Sequence, residues 1–111
     1  MLSRDDILGR DDRPVTTVFV DEWGGEVCVR PMTAAERERF EQAMADDKGG
    51  NIRATLAVRC CCDAEGSPLF SDADIPLLAA KGCAALVRLY APLLKLNRLR
   101  RSDVRELEGN S

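Results

Sequence analysis

Hydrophobic and polar residues alternate near the start of the chain in a pattern that predicts a β-hairpin. Residues 14–20 read PVTTVFV and residues 26–30 read EVCVR, two short runs rich in β-branched side chains. The residues between them, DEWGG, include two glycines able to adopt the positive φ of a tight turn. We expect an antiparallel hairpin over about residues 14–31, with four valines on its apolar face: Val18, Val20, Val27 and Val29.

From residue 33 onward the apolar residues recur with a helical period. The sequence TAAE at residues 33–36 is a capping box, and the helix that it starts should pass through Phe40 and end in the polar segment 46–50. Asn51 is a candidate cap for a further helix. That helix should bury three residues spaced four apart: Ile52, Leu56 and Cys60.

A longer amphipathic helix is predicted over residues 83–96. Its apolar side carries Leu86, Leu89, Tyr90, Leu93 and Leu94. Pro92 lies inside it and predicts a kink. Shorter helical segments are expected from Ser3 to Gly9 and from Ser102 to Gly109, the latter capped by Ser102 and Glu106. Ser71 with Asp74 is another candidate helix start, but Pro76 lacks the backbone donor needed there, so we favour a short helix from about Ile75 with Asp74 as its cap.

Two segments leave the interpretation open. Residues 60–62 are three consecutive cysteines that either end a helix or form a strand, and residues 68–70 predict a short extended arm packed against them. Taken together, the elements predict an α+β fold, a hairpin followed by four or five short helices. The chain should form one mainly helical domain over residues 1–111, with the helical part over about residues 33–108.

Composition is typical of a soluble globular protein rather than a membrane or disordered one. Hydrophobic residues make up 45% and charged residues 32% of the 111 positions, and no apolar run approaches the roughly 20 residues of a membrane span. The N-terminal sequence MLSRDDILGRDD lacks the pattern of a secretory signal. We therefore expect a cytoplasmic protein that does not bind a membrane.

Charge is distributed unevenly along the chain. The formal net charge is -3, but seven basic and three acidic residues from Lys81 onward give that part +4, so the residues before it carry -7. An acidic protein overall is not typical of a nucleic-acid binder. A basic C-terminal helix still leaves one alternative function open, that of a small regulatory or nucleic-acid-binding module.

Motifs for catalysis are missing from the sequence. The chain has no histidine, which removes the usual general base and the commonest zinc ligand. The adjacent cysteines do not have the spacing of a zinc site, and the glycines form neither a phosphate-binding loop nor a dinucleotide fingerprint. We expect no enzymatic activity, no metal and no cofactor, with reduced thiols that fill small apolar spaces.

Protein binding is the function class that remains. Large aromatic residues dominate many interfaces, so the candidate contact residues are Trp23, Phe40 and Tyr90. The basic residues Arg98, Arg100 and Arg101 are candidates for an acidic partner. Self-association is also expected, because the stripe of Leu86, Leu89 and Leu93 lies in a chain too small to cover every such stripe.

The order of these segments resembles a known family. A start like MLSRDDIL, then EWGGEVCVRPMTAAERERFE, PLFSDADI, an alanine-leucine helix closing on LKLN, and a terminal SDVRELEGN are similar to the tail assembly chaperones of long-tailed, non-contractile bacteriophages. The resemblance extends over nearly the whole chain. It departs from the family pattern at Pro76 and Pro92, inside predicted helices, and in the basic run at residues 98–101.

The resemblance implies a protein made during tail morphogenesis and absent from the finished virion. It would coat the tape measure protein and then yield to the tail tube protein. It also implies a programmed ribosomal slip that appends a second domain to some copies. Codons for Glu108, Gly109 and Asn110 can be GAG GGA AAC, which contains a heptamer, G GGA AAC, on which both tRNAs can re-pair one base upstream.

Overall fold

The computed structural model describes residues 1–47 and 51–99, in which a small antiparallel sheet packs against helices. The sheet order is β1-β2-β3, and the strands are β1 (Thr16–Val20), β2 (Gly25–Val29) and β3 (Cys61–Cys62). The helices are α1 (Arg4–Gly9), α2 (Ala34–Asp47), α3 (Ile52–Cys60), α4 (Ile75–Ala79) and α5 (Cys83–Leu96). Two 3-10 turns cover Asp21–Trp23 and Asp72–Asp74. The expected α+β fold is confirmed, and the helix predicted from Ser102 to Gly109 lies outside the described residues.

The predicted hairpin is formed by β1 and β2. Val18 pairs with Val27 and Thr16 pairs with Val29, so the four valines share one face of the sheet, as expected. Val20 and Val29 are buried, and Val18 and Val27 pack against the same core. Only Gly24 of the two turn glycines adopts positive φ, at 72°, because Gly25 already belongs to β2.

The three consecutive cysteines take both of the conformations that the sequence left open. Cys60 ends α3, and the chain then straightens into β3, where Cys61 pairs with Val29 and Cys62 with Cys28. The arm at residues 68–70 packs beside them as predicted, since the Leu69 N–H donates to the Cys61 carbonyl at 3.2 Å. The third strand is therefore an addition to the predicted hairpin.

The capping pairs predicted at the starts of α1 and α2 are formed, whereas the cap predicted at Asn51 is not. At α2 the Thr33 hydroxyl accepts from the Glu36 N–H at 3.0 Å, while the Glu36 carboxylate accepts from the Thr33 N–H at 2.8 Å. Ser3 and Asp6 form the same reciprocal pair at α1. Asn51 precedes α3 in a left-handed conformation, and within the described part of the chain its side chain makes no capping hydrogen bond.

Both candidate helix starts near Pro76 are present in the structure, one at Ser71 and one at Ile75. Ser71 and Asp74 form a reciprocal capping pair around the 3-10 turn Asp72–Asp74, and α4 begins directly afterwards at Ile75. Pro76 falls in the first turn of α4, where its missing N–H costs nothing.

The core lies between the sheet and helices α2, α3 and α5. Its largest fully buried side chains are Phe40, Met44, Leu56, Leu89, Leu93, Val20, Val29 and Cys60. Helix α5 runs through Pro92 without interruption, over the range that the apolar spacing predicts. None of the helices in residues 1–47 and 51–99 is both long and apolar enough to cross a bilayer.

Candidate partner-binding surface

Trp23 lies at the closed end of the hairpin and is accessible to solvent. Its side chain is 38% exposed, in the 3-10 turn that connects β1 to β2. The turn is closed by the Gly24 N–H, which lies 3.0 Å from the Val20 carbonyl and 3.1 Å from that of Asp21. The left-handed conformation of Gly24 makes this closure possible, because a residue with a Cβ is strained there.

The turn is joined to α5 by an ion pair. The Arg88 guanidinium donates to both carboxylate oxygens of Glu22, at 2.7 and 3.1 Å, and lies 3.5 Å from the Asp21 carboxylate. The hydrogen bond from Arg88 lowers the pKa of Glu22, and the same contact raises the pKa of Arg88. A two-pronged contact of this kind fixes orientation as well as distance.

Two further large apolar residues are exposed near this end of the molecule. Phe19 is 55% exposed on β1, one residue before the strand ends, and Val87 is 46% exposed next to Arg88 on α5. We group these exposed apolar residues with Trp23 as candidate contact positions and call the three together the hairpin-tip surface: Phe19, Trp23 and Val87. The sequence predicted Trp23, whereas Phe19 and Val87 were missed, although alternation along β1 places Phe19 on the face opposite the core valines.

Phe40 is not a contact residue. Its side chain has no solvent exposure and lies at the centre of the core, so the prediction that it binds a partner is wrong. The reason is visible in its spacing from Met44, one helical turn later, which is also fully buried. A pair of apolar residues four apart on an amphipathic helix is the ordinary pattern of a core-facing side.

Tyr90 is partly buried and belongs mainly to the core edge. Its ring packs against the buried cluster, and the Arg53 guanidinium lies over the ring at 5.3 Å from its centroid. That distance suits a cation–π contact between α3 and α5. Only part of the ring is available to a second protein, so Tyr90 is a weaker candidate than Trp23.

The stripe that motivated self-association faces inward. Leu86, Leu89 and Leu93 are all buried, against the sheet and α3, so they are not available to a second copy. The reasoning from that stripe is therefore wrong, because a small chain can cover one helix face with a sheet and a neighbouring helix. Self-association itself stays a prediction.

Of the three basic candidate residues that follow α5, the structure describes Arg98. Arg98 is exposed and adopts a left-handed conformation, φ 54°. The Arg98 N–H donates to the Lys95 carbonyl at 3.1 Å and the Leu99 N–H to the Leu94 carbonyl at 2.8 Å, which is a Schellman helix end with buried Leu99. Arg100 and Arg101 lie outside the described residues.

Asn97 is a structural residue that the sequence reasoning missed. It is buried, and its side-chain oxygen accepts from the Met32 N–H at 2.8 Å. Its amide nitrogen donates to the Leu93 carbonyl at 2.8 Å and to Cys60 Sγ at 3.3 Å. An asparagine after the last apolar residue of a helix was a usable signal for a helix end, but nothing local indicated these distant partners.

The buried cysteines are unreactive positions rather than a centre for chemistry. All five cysteines are free thiols, and burial raises the pKa of Cys60 to about 11 and that of Cys61 to about 12. Such thiols carry little of the reactive thiolate at neutral pH. In the part of the chain that the structure describes, no group of three or more His, Cys, Asp or Glu side chains could hold a metal ion.

The α+β arrangement just described, a hairpin followed by helices that cover its apolar face, is the fold of a phage tail assembly chaperone of known structure. That structure is the tail assembly chaperone of bacteriophage HK97, with a TM-score of 0.57 over 83% of this chain and 86% of that chain. The two sequences are 22% identical, so the likeness establishes the fold. No protein-family model matches the chain, and no curated protein sequence matches it.

Proposed function

We propose that this protein is a tail assembly chaperone of a long-tailed, non-contractile phage. It binds the tape measure protein in the host cytoplasm, keeps it soluble until the tail tube protein polymerises, and does not remain in the virion. The observation that supports this most directly is the fold shared with the HK97 chaperone over most of both chains. The resemblance of the sequence to the same family, which extends into the terminal segment SDVRELEGN, points the same way.

The hairpin-tip surface suits such a role. Trp23 and Phe19 are exposed aromatic side chains, and aromatic residues supply much of the binding energy at many interfaces. Glu22 precedes Trp23 and Arg88 follows Val87 in the sequence, so charged side chains accompany the apolar ones, as they do in interfaces of mixed polarity. A contact of that composition and modest size suits a partner that must later be exchanged for the tail tube protein.

Co-expression with the tape measure protein tests the proposal. The wild-type chain should raise the soluble fraction of the tape measure protein, and Trp23→Ala should lower that gain several-fold because it removes the aromatic anchor. Leu77→Ala is a matched control, since Leu77 is also a large exposed apolar residue but lies on α4. Circular dichroism of each variant should show an unchanged fold.

The outcomes distinguish an error in the proposed chaperone function from an error in the proposed binding surface. If the wild-type chain leaves the tape measure protein insoluble, the chaperone proposal is wrong. If Trp23→Ala protects as well as the wild type while Leu77→Ala does not, the function stands and the binding surface lies on α4 instead.

The gene provides an independent test of the longer product. We propose that some copies are extended by a ribosomal slip at Glu108, Gly109 and Asn110, and that the extension engages the tape measure protein while the short form supplies self-association. The expected codons are GAG GGA AAC, followed in the shifted frame by a long open stretch. Different codons without the heptamer, or an early stop in the shifted frame, would remove the slip from the proposal but leave the chaperone role untouched.

A further inference from the structure

Two of the five cysteines lie directly opposite each other in the sheet. Cys28 of β2 is the Cα partner of Cys62 of β3, and the two strands are antiparallel. Residues paired in this way extend their side chains to the same side of a sheet. That side is opposite the core, because Val27 and Val29, the neighbours of Cys28 along β2, belong to the core side. The two thiols therefore share one face.

The backbone places the two cysteines at a separation that a disulfide can bridge. The Arg30 N–H donates to the Cys60 carbonyl at 3.0 Å, and these residues are two positions along the chain from Cys28 and Cys62. Hydrogen-bonded and non-hydrogen-bonded pairs alternate along an antiparallel ladder, so Cys28 and Cys62 form a hydrogen-bonded pair, whose Cα atoms lie about 5.5 Å apart. Disulfides accept Cα separations of about 4.4–6.8 Å. The bond can therefore form with both strands in place.

Cys62 is held in position on both edges of its short strand. Besides β2 on one edge, Pro68 pairs with Cys62 on the other. The turn that follows Cys62 is closed by the Asp63 N–H, which donates to the Ser67 carbonyl at 2.8 Å. Two thiols that are fixed opposite each other react as if each were highly concentrated, so closure within one chain is favoured over a link to a second molecule.

The two thiols differ in their access to solvent. Cys28 is half-buried, whereas Cys62 is buried. Burial is the main cause that raises the pKa of Cys62, and the charge of the neighbouring Cys28 raises that pKa further, as expected for two sulfurs close together. An oxidant from solution therefore meets Cys28 first, and Cys62 reacts only with the sulfur of Cys28.

The other three cysteines are placed differently. Cys61 pairs with Val29 on the core side of the sheet. Cys60 ends α3, where its sulfur accepts a hydrogen bond from Asn97, and Cys83 is exposed at the start of α5. Among the described residues, no other two cysteines are partners across neighbouring strands.

We propose that Cys28 and Cys62 are an oxidisable pair, which a low-molecular-weight disulfide converts to a disulfide bond between β2 and β3. The Cys28 thiol loses its proton, and its sulfur attacks the small disulfide. The S–S bond of the reagent breaks, one half leaves as a thiolate, and the other half stays on Cys28. The Cys62 thiolate then attacks the Cys28 sulfur and displaces that second half.

The overall exchange is balanced. The two cysteines lose two electrons and two protons, and the small disulfide becomes two thiols. The new bond closes the chain between residues 28 and 62 into a loop that contains α2 and α3. This modification goes beyond the proposed chaperone function and does not depend on it.

Native oxidation followed by peptide mapping tests the pair. The Cys83→Ser chain, which lacks the exposed thiol at the start of α5, is incubated with glutathione disulfide, unfolded and alkylated. Trypsin cleaves after Arg37 and Arg59, so Cys28 lies on a different peptide from the three consecutive cysteines. We expect these two peptides to be joined, and fragmentation should assign the bond to Cys62. A sample oxidised in urea, in which no strand positions the thiols, should lose this selectivity.

Single substitutions in the same Cys83→Ser chain separate the two steps. Cys62→Ser should stop after the first step and leave Cys28 joined to one glutathione, because no second thiol faces it. Cys28→Ser should leave Cys62 unmodified, since burial keeps it from the reagent. Circular dichroism of both variants should show an unchanged fold, and the map of the Cys83→Ser chain is decisive even where a variant does not fold.

Thermal unfolding reports whether the bond suits the native fold. The loop closed by the disulfide restricts the unfolded chain, so the oxidised protein should melt at least about 5 °C above the reduced protein. Reduction with dithiothreitol should return the melting temperature to its starting value.

Four results would overturn the proposal. They are native peptides that stay unlinked, a bond to Cys60 or Cys61 as often as to Cys62, a folded Cys62→Ser variant in which Cys28 stays unmodified, and a melting temperature that oxidation leaves unchanged or lowers. None of these would affect the solubility test with the tape measure protein, so the two proposals can fail separately.

Discussion

At its C-terminal end, α5 is joined to the core by a buried amide, whereas its middle is joined to the hairpin turn by an exposed ion pair. Asn97 hydrogen-bonds to Met32, Leu93 and Cys60 in the interior. Arg88 contacts Glu22 at the surface. Asn97 connects the end of the helix to Met32, after β2, and to the end of α3, whereas Arg88 connects its middle to the β1–β2 turn. Water can replace the lost partner only at the exposed Arg88 contact.

The difference shows where the stability of the fold is concentrated. When a buried N–H loses its acceptor, no water reaches it, so the free energy spent on removing it from water is not recovered. When an exposed ion pair is broken, water solvates both charged groups, so little stability is lost. The Asn97 end of α5 should therefore be intolerant of substitution and the hairpin tip tolerant. Binding variants at Trp23 can for that reason be studied in a folded protein.

The largest effect is expected at Asn97. Asn97→Ala removes three hydrogen bonds and leaves the Met32 N–H without its acceptor, which should lower the free energy of unfolding by about 2–4 kcal/mol. Urea titration followed by circular dichroism measures this. Gln42→Ala, which removes an exposed amide on α2, should change it by less than about 0.5 kcal/mol. Equal changes in the free energy of unfolding for Asn97→Ala and Gln42→Ala would contradict the expectation that the buried amide contributes more to stability than an exposed one.

Thiol labelling sharpens the comparison with two cysteines. Cys83 is exposed at the start of α5, and Cys60 is buried against Asn97. Burial raises the pKa of Cys60 from 9.0 to about 11, which alone reduces its thiolate about a hundredfold. Pulsed alkylation with peptide mass spectrometry should therefore label Cys83 at least about a hundredfold faster. Similar rates would mean that the Asn97 end opens readily.

The smallest effect is expected at the ion pair, and its sign depends on pH. The pKa of Glu22 lies below its ordinary value of 4.5 because Arg88 donates to it. The ionised Glu22 carboxylate therefore stabilises the fold at pH values above 4.5, and this stabilisation is lost as the pH falls through the lower pKa of Glu22 in the folded protein. Glu22→Gln should melt slightly below the wild type at about pH 7 and together with it at about pH 2. A difference in melting temperature between the two proteins that persists at about pH 2 would mean that the ion pair is not its cause.

Local signals in the sequence predicted most of the fold. The valines at residues 18–29 defined the hairpin, the pairs Thr33 with Glu36 and Ser71 with Asp74 marked helix starts, and apolar spacing placed α5. In each case the interacting residues lie within about one turn of each other or directly across a hairpin. Short-range patterns of this kind are readable from one sequence.

Features that depend on distant contacts were not readable in the same way. β3 forms because Cys61 and Cys62 meet β2, more than thirty residues earlier. Asn97 likewise contacts Met32, which is 65 positions away in the sequence. Arg98 follows α5 in the left-handed conformation, a position that is usually occupied by glycine, so nothing in the sequence indicated it. Of the candidate contact residues, Trp23 is exposed and Phe40 is buried, and binding through Trp23 stays a prediction. Periodicity places a side chain on a helix face without saying what covers that face.

The closed turn at Gly24 has a consequence for the entropy of binding. The hydrogen bonds that the Gly24 N–H donates to two carbonyls, and the contact of Arg88 with Glu22, hold the backbone on either side of Trp23 before any other molecule arrives. Ordering a loose loop would cost about 1–2 kcal/mol for each residue fixed. An indole presented on a turn that is already ordered would avoid most of that loss, so a small contact area would suffice for the recognition proposed at this tip.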